Sequence, residues 1–291
     1  MNPHNKIILG TVQFGLNYGI NNSSGQILEN EVINILDLAW SSKIQMLDTA
    51  AAYGTSEEQI GRFINSHKNA EFKIITKFNL KAGSSPIQSL ERSLQKLNLD
   101  RVETIMFHSY EDFKKTTNSS INSLLEQRGR KFNKLGISLY TNEQVDDICE
   151  MNLFDVVQIP FNALDNESLR GIHFKKLKSL NIEVHTRSVF LQGLFFMEPL
   201  NIPKKLRPLV ESLNKIDSIA AKYELDKSAL LIQYALSKTD IDAVLVGVDS
   251  IEHLEKNLSS LGTQVNEEAL DEIDSIRVED YSLLNPATWS L

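Results

Sequence analysis

Cysteine is almost absent from this 291-residue chain. Cys149 stands alone, which excludes an internal disulfide and any cysteine-built metal site. Asp147 and Glu150 flank it with negative charge that disfavours a thiolate, so its expected role is structural. Long apolar runs are also missing. None approaches the roughly 20 residues needed to cross a bilayer, and residues 1–6 are polar, without a charged-then-apolar leader. The expectation is a cytoplasmic protein with no membrane partner. Positive charge is in deficit, with 30 Lys and Arg against 38 Asp and Glu and a net charge of −8. A phosphate-binding face needs clustered basic residues, and the short clusters at 128–131 and 175–178 read as solvated helix faces. No nucleic-acid partner is expected. Glycine-rich phosphate loops are lacking as well. Gly10-Thr11-Val12-Gln13-Phe14-Gly15 does not fit G-x-G-x-x-G, and no Walker A sequence occurs.

What the chain does have is a regular alternation of short apolar runs and longer segments of helical period. Strands are predicted at 6–10, 44–48, 73–77, 104–108, 134–137, 156–159, 183–186 and 243–246. Helices are predicted at 29–41, 56–65, 86–97, 120–127, 142–151, 166–179, 227–237 and 251–258. Ser56 with Gln59 has capping-box spacing, and Ser85 before Pro86 places a cap ahead of a first-turn proline. The stretch 192–223, with Pro199, Pro203 and Pro208, breaks the rhythm and reads as an excursion plus a helix. No linker divides the chain. Eight β/α units in one domain over residues 1–291 match the arithmetic of a (β/α)8 TIM barrel.

Barrels of this kind carry their active sites at the C-terminal strand ends. The second strand ends in Asp48, the third in Lys77 and the fourth in His108, and Tyr53 follows Asp48 in the loop before the next helix. Singly, each has an ordinary explanation: a turn cap, a solvent-seeking lysine, a packed histidine, a loop tyrosine. Their coincidence on three consecutive strands favours chemistry. A phenol with an ordinary pKa of about 10 is a proton source near neutral pH. A nearby ammonium stabilises the phenolate and lowers that pKa. A carboxylate keeps the ammonium charged, and an imidazole can hold a carbonyl oxygen beside the phenol. The set supplies no hydride, so a cofactor must.

The segment Leu47-Asp48-Thr49-Ala50-Ala51-Ala52-Tyr53-Gly54-Thr55-Ser56-Glu57 resembles the D-T-A-x-x-Y-G-x-S-E signature of the aldo-keto reductase family, and Lys77 and His108 fall at that family's lysine and histidine positions. The resemblance runs from about residue 7 to 258. It implies a TIM barrel that binds NADPH without a Rossmann motif and transfers hydride directly to a carbonyl, with Tyr53 as acid. It further implies that Gly10 and Thr11 lie beside the nicotinamide, and that Ser138 and Gln158 bind its carboxamide. Leu139 stands where an Asn is usual. Arg187 takes the place of the aromatic that stacks on the nicotinamide, where it could instead offer its charge to a substrate anion. Ser188 and Gly193 would line the pyrophosphate, and Gly247, His253 and Asn257 the adenosine. The Lys and Arg that many NADPH-preferring members carry near Gly247 and His253 are absent, and Asp249 would repel a 2′-phosphate, so NADH stays open. The segments at 10–20 and 187–193 also resemble a bacterial subgroup of surface-polysaccharide pathways, which points to a sugar or nucleotide-sugar carbonyl as the small-molecule substrate. Two other functions fit the same residues: a regulatory barrel that senses redox through its cofactor, and a sugar epimerase working by transient oxidation.

Overall fold

Each apolar run is followed by a helix, so successive strands must point the same way. The computed structural model describes residues 3–22, 24–80 and 84–289. Its eight parallel strands close into a barrel in sequence order. They are β1 (Ile7–Gly10), β2 (Met46–Asp48), β3 (Lys73–Lys77), β4 (Val102–Phe107), β5 (Phe132–Ser138), β6 (Val156–Pro160), β7 (Glu183–Arg187) and β8 (Ala243–Gly247). Pairing of Ile8 with Leu245 and of Gly10 with Gly247 closes the ring. The helices are α1 (Val12–Gly15), α2 (Glu29–Ser41), α3 (Ser56–Ser66), α4 (Pro86–Leu97), α5 (Tyr110–Lys115), α6 (Asn118–Leu125), α7 (Asn142–Cys149), α8 (Glu167–Ser179), α9 (Val210–Lys222), α10 (Lys227–Ser237), α11 (Ile251–Ser260) and α12 (Glu267–Asp274). No helix among the described residues is long and apolar enough to cross a membrane.

Side chains alternate across a strand with period two, and here both faces are buried, which is why the runs are continuously apolar. Ile8, Ile75, Met106, Val156 and Ala243 fill the barrel lumen with Met46 and Leu245 beside them. Leu9, Leu47, Ile74, Ile105, Ile137, Val157, Val184 and Val244 belong to the other core, under the helices. Two residues on from Ile8, Met46, Ile75, Met106 and Val156 come Gly10, Asp48, Lys77, His108 and Gln158. The same period leads from Gly136 to Ser138, His185 to Arg187 and Leu245 to Gly247. The alternation that fills the core therefore gathers the candidate residues at one mouth of the barrel.

Several local expectations change; α1 and α12 are helices the sequence reading did not include, β2 starts at Met46, and α6 spans Asn118–Leu125. The strand expected at 104–108 begins at Val102 and stops before His108. The segment after it, expected as loop, holds α5, because the Ser109 side chain caps the Asp112 amide. Ser56 is not the cap of α3. Thr55 is, without a side-chain bond, because the Ser56 hydroxyl is drawn inward to the Thr11 carbonyl at 2.9 Å. The cap expected at Ser85 forms ahead of Pro86, and Gln88 bonds back to complete a box that the sequence expectation did not include.

Charge closes the opposite mouth. Lys134 of β5 donates to Glu183 of β7 at 2.7 Å, and buried His185 lies 3.5 Å from the same carboxylate. The His185 hydrogen bond, with help from Lys134, holds Glu183 down from 4.5 to about 2. A carboxyl whose folded pKa is depressed contributes stability above its unfolded pKa and loses it as pH falls through the folded one. Glu183→Gln is therefore expected to lower the melting temperature at pH 7. Its difference from the unmutated protein should shrink between about pH 4.5 and pH 2, as read by circular dichroism melts across that range.

Candidate active site

An ammonium and a carboxylate are costly to remove from water unless they meet each other and their remaining donors and lone pairs are also satisfied. Asp48 and Lys77 are 2% and 1% exposed. Lys77 Nζ donates to Asp48 Oδ1 and to the Thr49 carbonyl at 3.1 Å. Asp48 Oδ2 accepts from Gln158 Nε2 at 2.7 Å. Burial pulls the Lys77 pKa below its usual value, and the Asp48 charge and hydrogen bond oppose that pull.

The loop that carries Tyr53 is fixed from two sides. The Thr49 amide donates to the Ile75 carbonyl at 2.8 Å and the Ala51 amide to the Lys77 carbonyl at 3.1 Å, which ties the loop to β3. From the other side α1 presses Gly15 against it. A Cβ at Gly15 would lie 1.8 Å from the Tyr53 carbonyl oxygen, so no other residue fits that approach. Gly54 answers with φ +54, a region open to glycine at little cost. Buried Ser56 locks the junction through the hydroxyls of Thr11 at 2.9 Å and Thr49 at 3.0 Å.

So held, the Tyr53 ring lies 5.3 Å from Lys77 Nζ and edge-on to His108, with centroids 5.6 Å apart at 80°. Its phenol pKa is raised. Enclosure is the main cause, the Asp48 charge adds to it and Arg187 opposes it. The sequence leads one to expect a phenol acidified by lysine. Burial, with the Asp48 charge beside it, outweighs any such lowering in the free protein, and the phenol stays protonated.

All fourteen candidate residues line one cleft of about 530 Å3. It runs from Asp48, Tyr53, Lys77 and His108 past Gly10, Thr11, Ser138, Gln158, Arg187, Ser188 and Gly193 to Gly247, His253 and Asn257. A turn after β7 forms part of the wall, with left-handed φ at Ser188 (65°), Leu191 (45°), Gln192 (55°) and Gly193 (88°). Several polar groups in the cleft are already committed. The Thr11 hydroxyl donates to the Asp48 carbonyl at 2.9 Å, and the Gln158 amide nitrogen serves Asp48. Leu139 is buried in the core, and its carbonyl accepts from Arg187 Nη2 at 3.1 Å. Arg187 stacks on the Tyr140 ring at 4.2 Å.

Other cleft residues escaped the sequence reading. Tyr140 lies two residues past Ser138 on the same strand parity, which is the signal that could have found it. Gln13 lines the cleft beside Gly247, and its Oε1 is buried with no partner among the described residues. An acceptor of that kind suits an amide or hydroxyl donor, and the small-residue wall of Gly10 and Gly247 admits a flat group. These features fit a nicotinamide nucleotide. At the far end Asp249 is paired with His253, and Lys256, which also lines the cleft, lies 3.1 Å from Asp226. Among the described residues no cluster of His, Cys, Asp and Glu could hold a metal ion.

At the C-terminal mouth of this closed parallel barrel a buried ion pair lies beside a phenol. The comparisons name the class. Residues 6–278 match the model of the Aldo/keto reductase family, and the chain belongs to that family. It is accordingly an oxidoreductase of carbonyl compounds in the general sense. It is 25% identical over 279 residues to an L-galactose dehydrogenase of Arabidopsis thaliana, covering 87% of this chain and 86% of that one. It is 24% identical over 268 residues to an aldo-keto reductase of Mycolicibacterium paratuberculosis, covering 90% and 87%. An aldo-keto reductase from Bacillus halodurans, solved in its holo form, superposes with a TM-score of 0.72 at 17% identity, covering 92% of this chain and 90% of that one. This last likeness concerns the fold alone.

Breaking the buried pair from one side should cost more than removing it. Asp48→Leu strands the Lys77 ammonium and is expected to cost about 3–5 kcal/mol in urea denaturation. Adding Lys77→Met is expected to recover more than half of that loss. A double variant no more stable than Asp48→Leu would contradict the pairing.

Proposed function

We propose that the protein reduces an aldehyde, ketone or sugar carbonyl with a nicotinamide cofactor, and that Tyr53 is the proton donor. The observation that carries this reading is the fully enclosed Lys77–Asp48 pair beneath a phenol that burial keeps protonated. A nicotinamide cofactor held in the cleft would supply the hydride for the carbonyl carbon. Tyr53 gives its proton to the carbonyl oxygen, so the product is an alcohol and the phenolate left behind is reprotonated from water. Lys77, 5.3 Å from the ring, steadies that phenolate through its positive charge, and Asp48 keeps the lysine protonated and aimed. The His108 imidazole, set edge-on to the phenol, holds the substrate oxygen against it.

The cofactor half of the proposal rests on Gly10, Thr11, Ser138, Gln158, Ser188, Gly193, Gly247, His253 and Asn257 along the cleft. NADPH is the favoured form, with NADH second. The Asp249 charge that would repel a 2′-phosphate is engaged with His253. A sugar carbonyl suits the polar mouth formed by Tyr18, Asn21, Asn22 and Gln192, and the likeness to an L-galactose dehydrogenase agrees with it.

Tyr53→Phe is expected to lower kcat by about 100- to 10,000-fold while fluorescence titration finds unchanged NADPH affinity. Near-normal turnover in Tyr53→Phe, measured by NADPH absorbance over a panel of aldehydes and aldoses, would overturn the assignment.

A further inference from the structure

The charges that line the cleft are nearly all paired. Lys77 faces Asp48, Lys256 faces Asp226 and His253 faces Asp249. Arg187 is different. Among the described residues no salt bridge joins its guanidinium to a carboxylate, the acidic charge it acts on being buried Asp165, itself paired with Arg170, although it sits half-buried on the lumen side of the β7 end. Its known bonds are to neutral acceptors, the Leu139 carbonyl at 3.1 Å and the Ser188 hydroxyl at a long 3.4 Å. A guanidinium carries five N–H donors in one plane, so several remain for another acceptor. Its charge also reaches the reaction centre, where it opposes the upward shift of the Tyr53 phenol.

This cation is held in place with some care. One face rests on the Tyr140 ring at 4.2 Å. The Tyr140 backbone is fixed in turn by Arg170, whose Nη2 donates to its carbonyl at 2.8 Å. Arg170 is itself clamped by Asp165 through bonds of 2.6 and 2.9 Å and donates to Asn142 Oδ1 at 2.7 Å. An unpaired, preorganised guanidinium in a protein of net charge −8 is a receptor for a planar anion.

We propose that Arg187 is the specificity determinant for an anionic group, a carboxylate or a phosphate ester, carried by the carbonyl substrate. The proposal rests on the carbonyl-reductase reading and narrows it to acidic aldehydes, ketones and sugars. The guanidinium contributes hydrogen bonds and charge to binding and takes no part in bond making.

The test uses matched pairs that differ in charge: succinic semialdehyde against butanal, and glyceraldehyde 3-phosphate against glyceraldehyde. Calorimetric titration of the protein without cofactor is expected to show tighter binding of at least one anionic member. In Arg187→Gln that preference should fall by about 100-fold, with the kcat/KM ratio following it, and Arg187→Lys, which keeps the charge but not the fork, should restore part of it. Added salt should erode the preference in the unmutated protein and leave Arg187→Gln unaffected. No preference in either pair, or equal losses for both members of each, would overturn the proposal. So would an NADPH affinity that weakens in Arg187→Gln as much as the anion does, because the arginine would then serve the cofactor pyrophosphate. The neutral aldehydes report separately on the function itself: anion binding without turnover of any member would sink the reductase reading and leave the anion site standing.

Discussion

The Lys77 ammonium cannot lie inside the barrel mouth without the Asp48 carboxylate, and that necessity organises the site around it. Both Asp48 oxygens are used, one by Lys77 and one by Gln158 from the far side of the barrel. Its backbone carbonyl accepts from the Thr11 amide at 3.0 Å and from the Thr11 hydroxyl at 2.9 Å. One residue thereby ties β2 to β3, to β6 and to the turn after β1. The Tyr53 loop hangs from the same turn through Ser56, and Gly15 sets how near α1 can approach. The phenol is placed by backbone and buried hydroxyls rather than by a flexible side-chain contact, which is what a precisely aimed proton donor requires.

The same economy of charge accounts for the division of the cleft. Paired charges hold its two ends, Lys77 with Asp48 at one and His253 with Asp249 at the other. Between them the wall is glycine, amide, hydroxyl, aliphatic and aromatic side chains, interrupted by one arginine that no carboxylate among the described residues pairs. In a low-dielectric cleft an unpaired charge is felt over a longer range than at the surface. Arg187 therefore acts on the phenol already, and would act more strongly on any anion that entered.

The barrel and three of the four residues at its mouth were legible in the sequence because both follow from period two, and Tyr53 by its place in the loop after Asp48. Strands buried on both faces read as apolar runs, and a polar residue ending such a run must face the lumen or the helices. Counting by twos from Met46, Ile75 and Met106 reaches Asp48, Lys77 and His108. What stayed hidden depends on partners far apart in the chain. Ser56 reads as a helix cap until Thr11 is brought beside it. Gln158 reads as a ligand-binding amide, and its bond to Asp48 appears only once β6 stands across the barrel from β2. Arg187 reads as a substitute for a stacking aromatic, yet its flat face rests on Tyr140, a residue 47 positions earlier in the chain. The helix α5 was missed because its six residues are too few to show a periodicity.

The most direct test of the central claim follows the atoms. A single turnover with NADPH carrying deuterium at both nicotinamide C4 positions, run with a reducible aldehyde, should place deuterium on the carbinol carbon of the product. The same reaction with unlabelled NADPH in deuterium oxide should place none there, because solvent exchange reaches only the hydroxyl proton that Tyr53 supplies. Solvent-derived deuterium on carbon, or an alcohol without the cofactor's label, would contradict direct hydride transfer and with it the role given to the phenol.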